Sequence, residues 1–411
     1  MADIRGWAAC LYAAFLICHP AGAWAATVVR PVSHGSHPAT LPSAASADAE
    51  DMQALNHAFK VLTDAADQNK IDAVRAATLN IIHTLGTSVL VPHELISVAR
   101  ELAQRGRLAA AQAVLDPTIS AYPDRADAVA LLGHVNLIMG NYSRAIDHLR
   151  AALDAGVDWR SASRLGLAYE LAGNIPAARA ALDRAYSMDP RLHDLKFEEA
   201  LLMLYSSKAA AVQALRHYIK QYRKLDHGIE SASAQRVLDA LTAKPEAAPL
   251  VKVATDLIAA NAAPFVLPIA AYLQRLDAQS AQPYLLRALF FHALHMVPQE
   301  RDEWDKTFAR LSAAHDPRAE TALRSSVSLS LQLDEGKRAR ALLDRGKRYD
   351  ATGWYQYAYG RTLDALGQHA QAKQRFQTCA GNPAIAENWR RRCEDAGNGV
   401  TPHDAGKYTG A

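Results

Sequence analysis

Aromatic side chains are scarce: 8 Phe, 6 Trp and 15 Tyr in 411 residues. A core built mainly on bulky rings is therefore excluded. Half of the chain is hydrophobic by a broad count, and alanine supplies much of it, which favours close helix contacts. No alternating run of β-branched residues persists, so no sheet is expected. Charge of one sign is also lacking. The formal net charge is +3, too little to imply a nucleic acid partner.

Catalytic signatures are missing as well. There is no Gly-x-Ser-x-Gly elbow, no phosphate-binding Gly-rich loop and no Cys-x-x-Cys. His93 opens a stretch, "HELIS", that starts like a zinc-protease helix, but Ser97 stands where the second His belongs. His292 and His295 fall on one helical face with no third ligand nearby. Glu198 and Glu199 are adjacent and point in different directions, which argues against a carboxylate dyad. No enzyme activity, metal site or cofactor is assigned on these grounds.

The start of the chain has the layout of an export signal. Arg5 precedes an uncharged, mostly apolar run from Gly6 to Cys18, and Ala23-Trp24-Ala25 is a small-x-small cleavage site. A bilayer span takes about 20 apolar residues, more than this run offers. Residues 1–25 are thus expected to be a signal peptide cleaved near Ala25, with a retained anchor as the alternative. Ile17 before Cys18 fits lipidation poorly. The expected location is periplasmic or secreted, with no stable transmembrane segment after cleavage. Residues 26–50 are rich in Pro, Ser, Ala and His and lack periodicity, as in a flexible leader. His34 and His37 have no acid or Cys there to complete a metal site. Removing the signal also removes Cys10 and Cys18. The remaining Cys379 and Cys393 would form a disulfide in an oxidising compartment, near the end of one helix and on the next. Two reduced thiols are the alternative.

What is present after residue 51 is helix periodicity with a longer repeat laid over it. Gly106, Gly140 and Gly173 are each followed five residues later by Ala111, Ala145 and Ala178. Leu115, Leu149 and Leu182 come four further on, and Ala99, Gly133 and Gly166 sit seven before each turn. The spacing of 34 and then 33 is that of a helix–turn–helix unit. Gly360, Gly367, Ala372 and Phe376 repeat it near the C-terminus. These positions resemble the tetratricopeptide repeat, over units 92–125, 126–158, 159–192 and 353–386. The third unit carries the fullest set: Gly166, Tyr169, Gly173, Ala178, Leu182, Ala185 and Pro190.

The resemblance implies an all-α fold, a right-handed α-solenoid of stacked hairpins. Small residues let the two helices of a unit approach, large ones fill the space beside them, and each hairpin leaves an apolar face for the next to cover. The expected organisation is an N-terminal array over 51–244, divergent helical pairs over 245–318, C-terminal repeats with a capping helix over 319–397, and a frayed tail over 398–411. Pro245 and Pro249 mark either a hinge between two sub-arrays or an ordinary loop.

The resemblance also implies a working surface, since helix A of each unit lines the concave wall. The groove positions are Ile96, Arg100 and Gln104, then Asp127, His134 and Leu137. Arg160, Ser163, Leu167 and Glu170 follow, then Trp354, Tyr357 and Arg361. Arginines and aromatic rings there would contact a protein or peptide segment. The expected function is a non-catalytic scaffold that assists assembly of an envelope complex. A second expectation rests on the basic C-terminal part, including Arg338, Arg345 and Arg348. It is an accessory role in polysaccharide export through binding of anionic glycan or a membrane surface.

Overall fold

The computed structural model describes residues 47–86, 88, 90–222 and 229–399. The expected signal peptide and most of the expected leader and tail lie outside the described residues. The chain divides into two units, Met1–Ala58 with Asp404–Ala411, and Phe59–His403. Of the first, only the opening turns of one helix are described. The second holds all the other helices.

Among the described residues there are twenty α-helices, three short 3-10 turns and no strand. The first pair is α1 (Ala47–Asp67) and α2 (Ile71–Leu85). The repeat units come next as α3 (Leu90–Gln104) with α4 (Leu108–Ala121), α5 (Ala126–Met139) with α6 (Tyr142–Asp154), and α7 (Trp159–Leu171) with α8 (Ile175–Met188). Then come α9 (His193–Leu202), α10 (Lys208–Tyr222), α11 (Ile229–Thr242), α12 (Ala247–Ala259) and α13 (Val266–Leu276). The C-terminal helices are α14 (Gln282–Ala293), α15 (Val297–Ala313), α16 (Ala319–Gln332), α17 (Gly336–Arg345), α18 (Gly353–Ala365), α19 (His369–Ala380) and α20 (Glu387–Gly397). Consecutive helices pack on one another along the second unit, which makes it an α-solenoid.

The expected small residues do what close packing requires. A Cβ at Gly133 would come within 2.8 Å of Leu149, and one at Gly360 within 2.4 Å of the Phe376 ring. Both pairs join helix A to helix B of one unit. The turn glycines are needed for a different reason. Gly106, Gly140, Gly173 and Gly367 have φ between +73° and +82°, where a side chain is strained.

The same turn recurs where the sequence shows no glycine. Asn69, Asn261, His295 and Asp334 all adopt φ between +55° and +59° between paired helices. Asn, Asp and His enter this region more readily than other residues with a Cβ. The hairpins therefore continue through the stretch in which the glycine signature fades. One of these turns corrects an expectation: α14 ends at Ala293, so His295 lies in the bend rather than on a helical face with His292.

Pro245 and Pro249 do not divide the core. One hydrophobic cluster runs from Phe197 to Leu286 and includes Leu241, Leu250 and Val253 on either side of them. A longer-range contact closes the middle of the chain onto the repeats. Ala263, Leu267, Phe290, Phe291 and Met296 pack with Ile138, Tyr142, Leu167 and Leu171. Gln299 Nε2 donates to the Ile138 carbonyl at 3.2 Å, across 161 residues of sequence.

Candidate helix-A interface

The helix-A faces of the first three units share one design: small and aliphatic residues turn inward, and longer polar ones project from the opposite side. On α3, Ala99 and Leu102 are buried, and so is Ile96, at 2% exposure. Arg100 and Gln104 are exposed. On α5, Leu137 is buried and Asp127 is held by Arg125 through two contacts of 2.9 and 2.6 Å. His134 is half-buried, and its Nδ1 is fully buried with no hydrogen-bond partner. On α7, Arg160 is exposed, pairs with Asp158 at 2.8 Å and lies 4.8 Å from the centroid of the Trp159 ring. Ser163 is half-buried.

Sequence reasoning missed Arg164 on this face. It sits one residue after Ser163, half-buried, and no hydrogen bond or ion pair reaches it among the described residues. Burial lowers its pKa, and the charges of Arg160 and Arg100 lower it further; Asp158 opposes them. Burial and the Arg164 charge push the His134 imidazole down to about 3, so it is neutral at physiological pH. A signal was available in the sequence: Arg100 and His134 stand one repeat apart, and Arg164 lies one helical turn before the next equivalent position, Leu167.

Further along α7 the face is occupied by the chain itself. Leu167 packs in the cluster that includes Phe290, Phe291 and Met296. Glu170 is buried and accepts a 2.9 Å hydrogen bond from the Tyr205 hydroxyl. Burial pushes its carboxyl up to about 8. Glu198, on α9, is buried as well, and burial together with Glu170 and Asp194 raises it well above the ordinary carboxylate range. Its neighbour Glu199 points elsewhere, to Arg179 and Lys196, each at 2.9 Å. The carboxylates whose charges act on one another, Glu170 and Glu198, are thus 28 positions apart, invisible to local spacing. Glu170 is a core residue here, with no face left for a partner.

The C-terminal groove positions are also built into the core. Trp354 is 5% exposed, its indole N–H bonds Glu320, and its ring meets Tyr355 edge-on. Tyr357 is equally buried against Phe376 and Trp389. Arg361 donates to the Tyr357 hydroxyl at 3.3 Å. The aromatic platforms expected for a ligand are consumed by the last repeat and the capping helix. Cys379 and Cys393 are joined in a disulfide that ties α19 to α20, with their Cα atoms 5.9 Å apart.

Residues 336–397 contain twelve Lys and Arg against six Asp and Glu, but the positive charges are not equivalent. Arg338 is held by Asp302 at 2.7 Å and by Asp305 through Nε at 2.9 Å. Arg345 and Arg348 are exposed, beside the rings of Phe308 and Tyr349.

No group of three or more His, Cys, Asp or Glu side chains among the described residues is arranged to hold a metal ion. No described helix is long and apolar enough to cross a membrane.

Residues 99–156 and 137–192 match the family model for the tetratricopeptide repeat. No curated protein matches the chain in sequence. Among solved structures, the chain is similar to YrrB, a tetratricopeptide protein with an unusual peptide-binding site, at 15% identity and a TM-score of 0.31. That match covers 50% of this chain and 95% of YrrB. Yeast Tom70 aligns over 84% of this chain and 96% of its own, at 10% identity and a TM-score of 0.35. A tetratricopeptide repeat protein from Parabacteroides merdae aligns over 74% and 97%, at 12% identity and 0.26.

Proposed function

We propose that this tetratricopeptide repeat protein is an exported, non-catalytic scaffold that holds a polypeptide segment of a partner against the helix-A face of its first three units. The observation that carries this reading is the contrast along that face. Arg100, Gln104 and Arg160 remain exposed, while the neighbouring stretch at Leu167 and Glu170 is closed by the chain's own middle helices. A solenoid wall that keeps long polar side chains in solvent, beside a region already covered, is suited to recognition by charge and hydrogen bonding. The signal-like start of the sequence supports a role in the bacterial cell envelope, in assembly of a complex there.

The test is photo-crosslinking in the native envelope. A photoreactive residue at Gln104 or Arg160 is expected to capture a protein that the same probe at Arg150, exposed on α6, does not. Equal capture from all three positions, or none from the first two, would reject the groove as the working surface.

A second reading has its own observation. Arg345 and Arg348 have no carboxylate partner among the described residues and lie in a segment with a twofold excess of basic side chains. In this reading the segment contacts anionic glycan of an export machine. Charge reversal at these two arginines is expected to abolish retention on an acidic polysaccharide column. Unchanged retention removes the reading.

A further inference from the structure

The C-terminal helices hold two cations against one aromatic ring. Arg340, on α17, and Arg375, on α19, come from the second helices of two successive hairpins. Each guanidinium carbon lies 4.5 Å from the centroid of the same Tyr359 ring, on α18, so the two are at most twice that distance apart. All three residues are half-buried. Stacking on a ring holds a guanidinium flat and leaves its N–H edge available, but it does not cancel the charge. Asp344 serves Arg340, accepting from its Nε at 3.3 Å. Arg375 has no such partner among the described residues, and its Nε is buried with nothing to bond. The Nη groups of both arginines and the Tyr359 hydroxyl also bond nothing among the described residues, and these reach solvent.

Two like charges on one ring, partly withdrawn from water and with one carboxylate at hand, repel each other. An oxyanion that accepts from both guanidinium edges removes that repulsion. The phenol on the same ring both donates and accepts, which suits a hydroxyl next to the anionic group. An oxyanion beside a hydroxyl is the chemistry of an acidic sugar; a peptide carboxylate has no such neighbour.

We propose that Arg340, Arg375 and Tyr359 form a binding site for one acidic sugar unit of a glycan, the guanidinium groups taking its oxyanion and the phenol a neighbouring hydroxyl. This deepens the glycan reading of the C-terminal segment and rests on it. Arg345 and Arg348 supply general attraction to a polyanion, and the stacked pair supplies the choice of sugar.

The full chain carrying ¹⁵N-labelled arginine is titrated by NMR, with the Nε–H signals of the pair assigned by Arg340→Lys and Arg375→Lys. The probe is oligogalacturonate, a linear chain of carboxylated sugars. A neutral dextran oligosaccharide, an oligoglutamate of equal charge and inorganic phosphate serve as comparisons. Oligogalacturonate is expected to shift both signals and to bind more tightly than oligoglutamate; dextran is expected to shift neither. Arg375→Gln is expected to weaken oligogalacturonate about tenfold, as loss of a charged hydrogen-bonding group does. Arg375→Lys keeps the charge and loses the planar fork, so it too is expected to bind more weakly, which keeps the test decisive where Arg375→Gln disturbs the stack. Tyr359→Phe keeps the ring and is expected to lose the preference over oligoglutamate.

Signals unmoved by oligogalacturonate refute the site. Equal binding of oligoglutamate shows that charge alone is read, and the sugar assignment fails. Shifts with phosphate but not with oligogalacturonate make the occupant a free anion, which also overturns it. Column retention that depends on Arg345 and Arg348 but survives Arg375→Gln and Arg375→Lys would reject this site and leave the glycan reading standing. A wild-type chain that no acidic polysaccharide retains would remove both.

Discussion

Glu170 and Tyr205, 35 residues apart, meet in a 2.9 Å hydrogen bond in which the phenol donates to the carboxyl group. The bond lies beside the apolar contact that brings Phe290, Phe291 and Met296 onto α7. Burial holds the Glu170 carboxyl up at about 8 against an ordinary value of 4.5, so it is protonated at neutral pH.

This pair makes stability depend on pH in a defined direction. An acid whose pKa is raised by folding contributes fully below its unfolded value and loses that contribution as pH rises towards its folded value. The loss from Glu170 therefore accumulates between about pH 4.5 and 8 and reaches up to about 5 kcal/mol, at about 1.4 kcal/mol per pH unit. Glu170→Gln keeps an acceptor for Tyr205 and cannot ionise. Denaturant titrations should find it close to wild type at pH 5 and more stable by several kcal/mol at pH 8. Parallel pH profiles for the two proteins would show that Glu170 is not buried as described.

Gly360 should tolerate no side chain. A Cβ there would lie 2.4 Å from the Phe376 ring, which is itself held by Tyr357. Gly360→Ala is expected to cost about 1–3 kcal/mol through displaced packing. Gly173→Ala meets nothing within 4 Å but has φ of +81°, and about 1 kcal/mol of backbone strain is expected. Thermal melts of the two variants separate steric from conformational need. A cost at Gly173 exceeding that at Gly360 would contradict the assignment.

The disulfide should act locally. It closes a loop with a sequence separation of 14, for which chain entropy accounts for about 3 kcal/mol. In an array each hairpin relies on its neighbours, so losing the bridge frees the end before the middle. Reduction, or Cys393→Ser, is expected to raise amide exchange across Glu387–Gly397 while α5–α8 exchange unchanged. Uniform loss of protection along the chain would show a more global role.

Arg338 and Arg348 should separate in a charge-reversal experiment. Arg338→Glu removes the pairing with Asp302 and Asp305 and sets a third carboxylate beside them. A cost of about 1–3 kcal/mol is expected, since the site is partly exposed. Arg348→Glu changes an exposed side chain and should stay within about 0.5 kcal/mol. Equal melting temperatures would mean the Arg338 pairs contribute nothing.

What the sequence alone determined was the repeat. Helix A and helix B of each clear unit, the turn at Gly106, Gly140, Gly173 and Gly367, and the contacts Gly133–Leu149 and Gly360–Phe376 arise from residues within one hairpin. Local backbone preference and helical periodicity carry that information. Even the hidden turns at Asn69, Asn261, His295 and Asp334 obey a local rule, although one that glycine spacing alone does not reveal. Which groove positions stay free was decided only by tertiary structure. Leu167 is covered because residues 263–299 return to the second and third units, Glu170 is held by Tyr205, Trp354 is bonded to Glu320 on α16, and Tyr357 is covered because the capping helix packs on it. Contacts such as Gln299 to Ile138, 161 residues apart, leave no periodic trace. They depend on how the turns of a stack add up in space, and no single repeat encodes that sum.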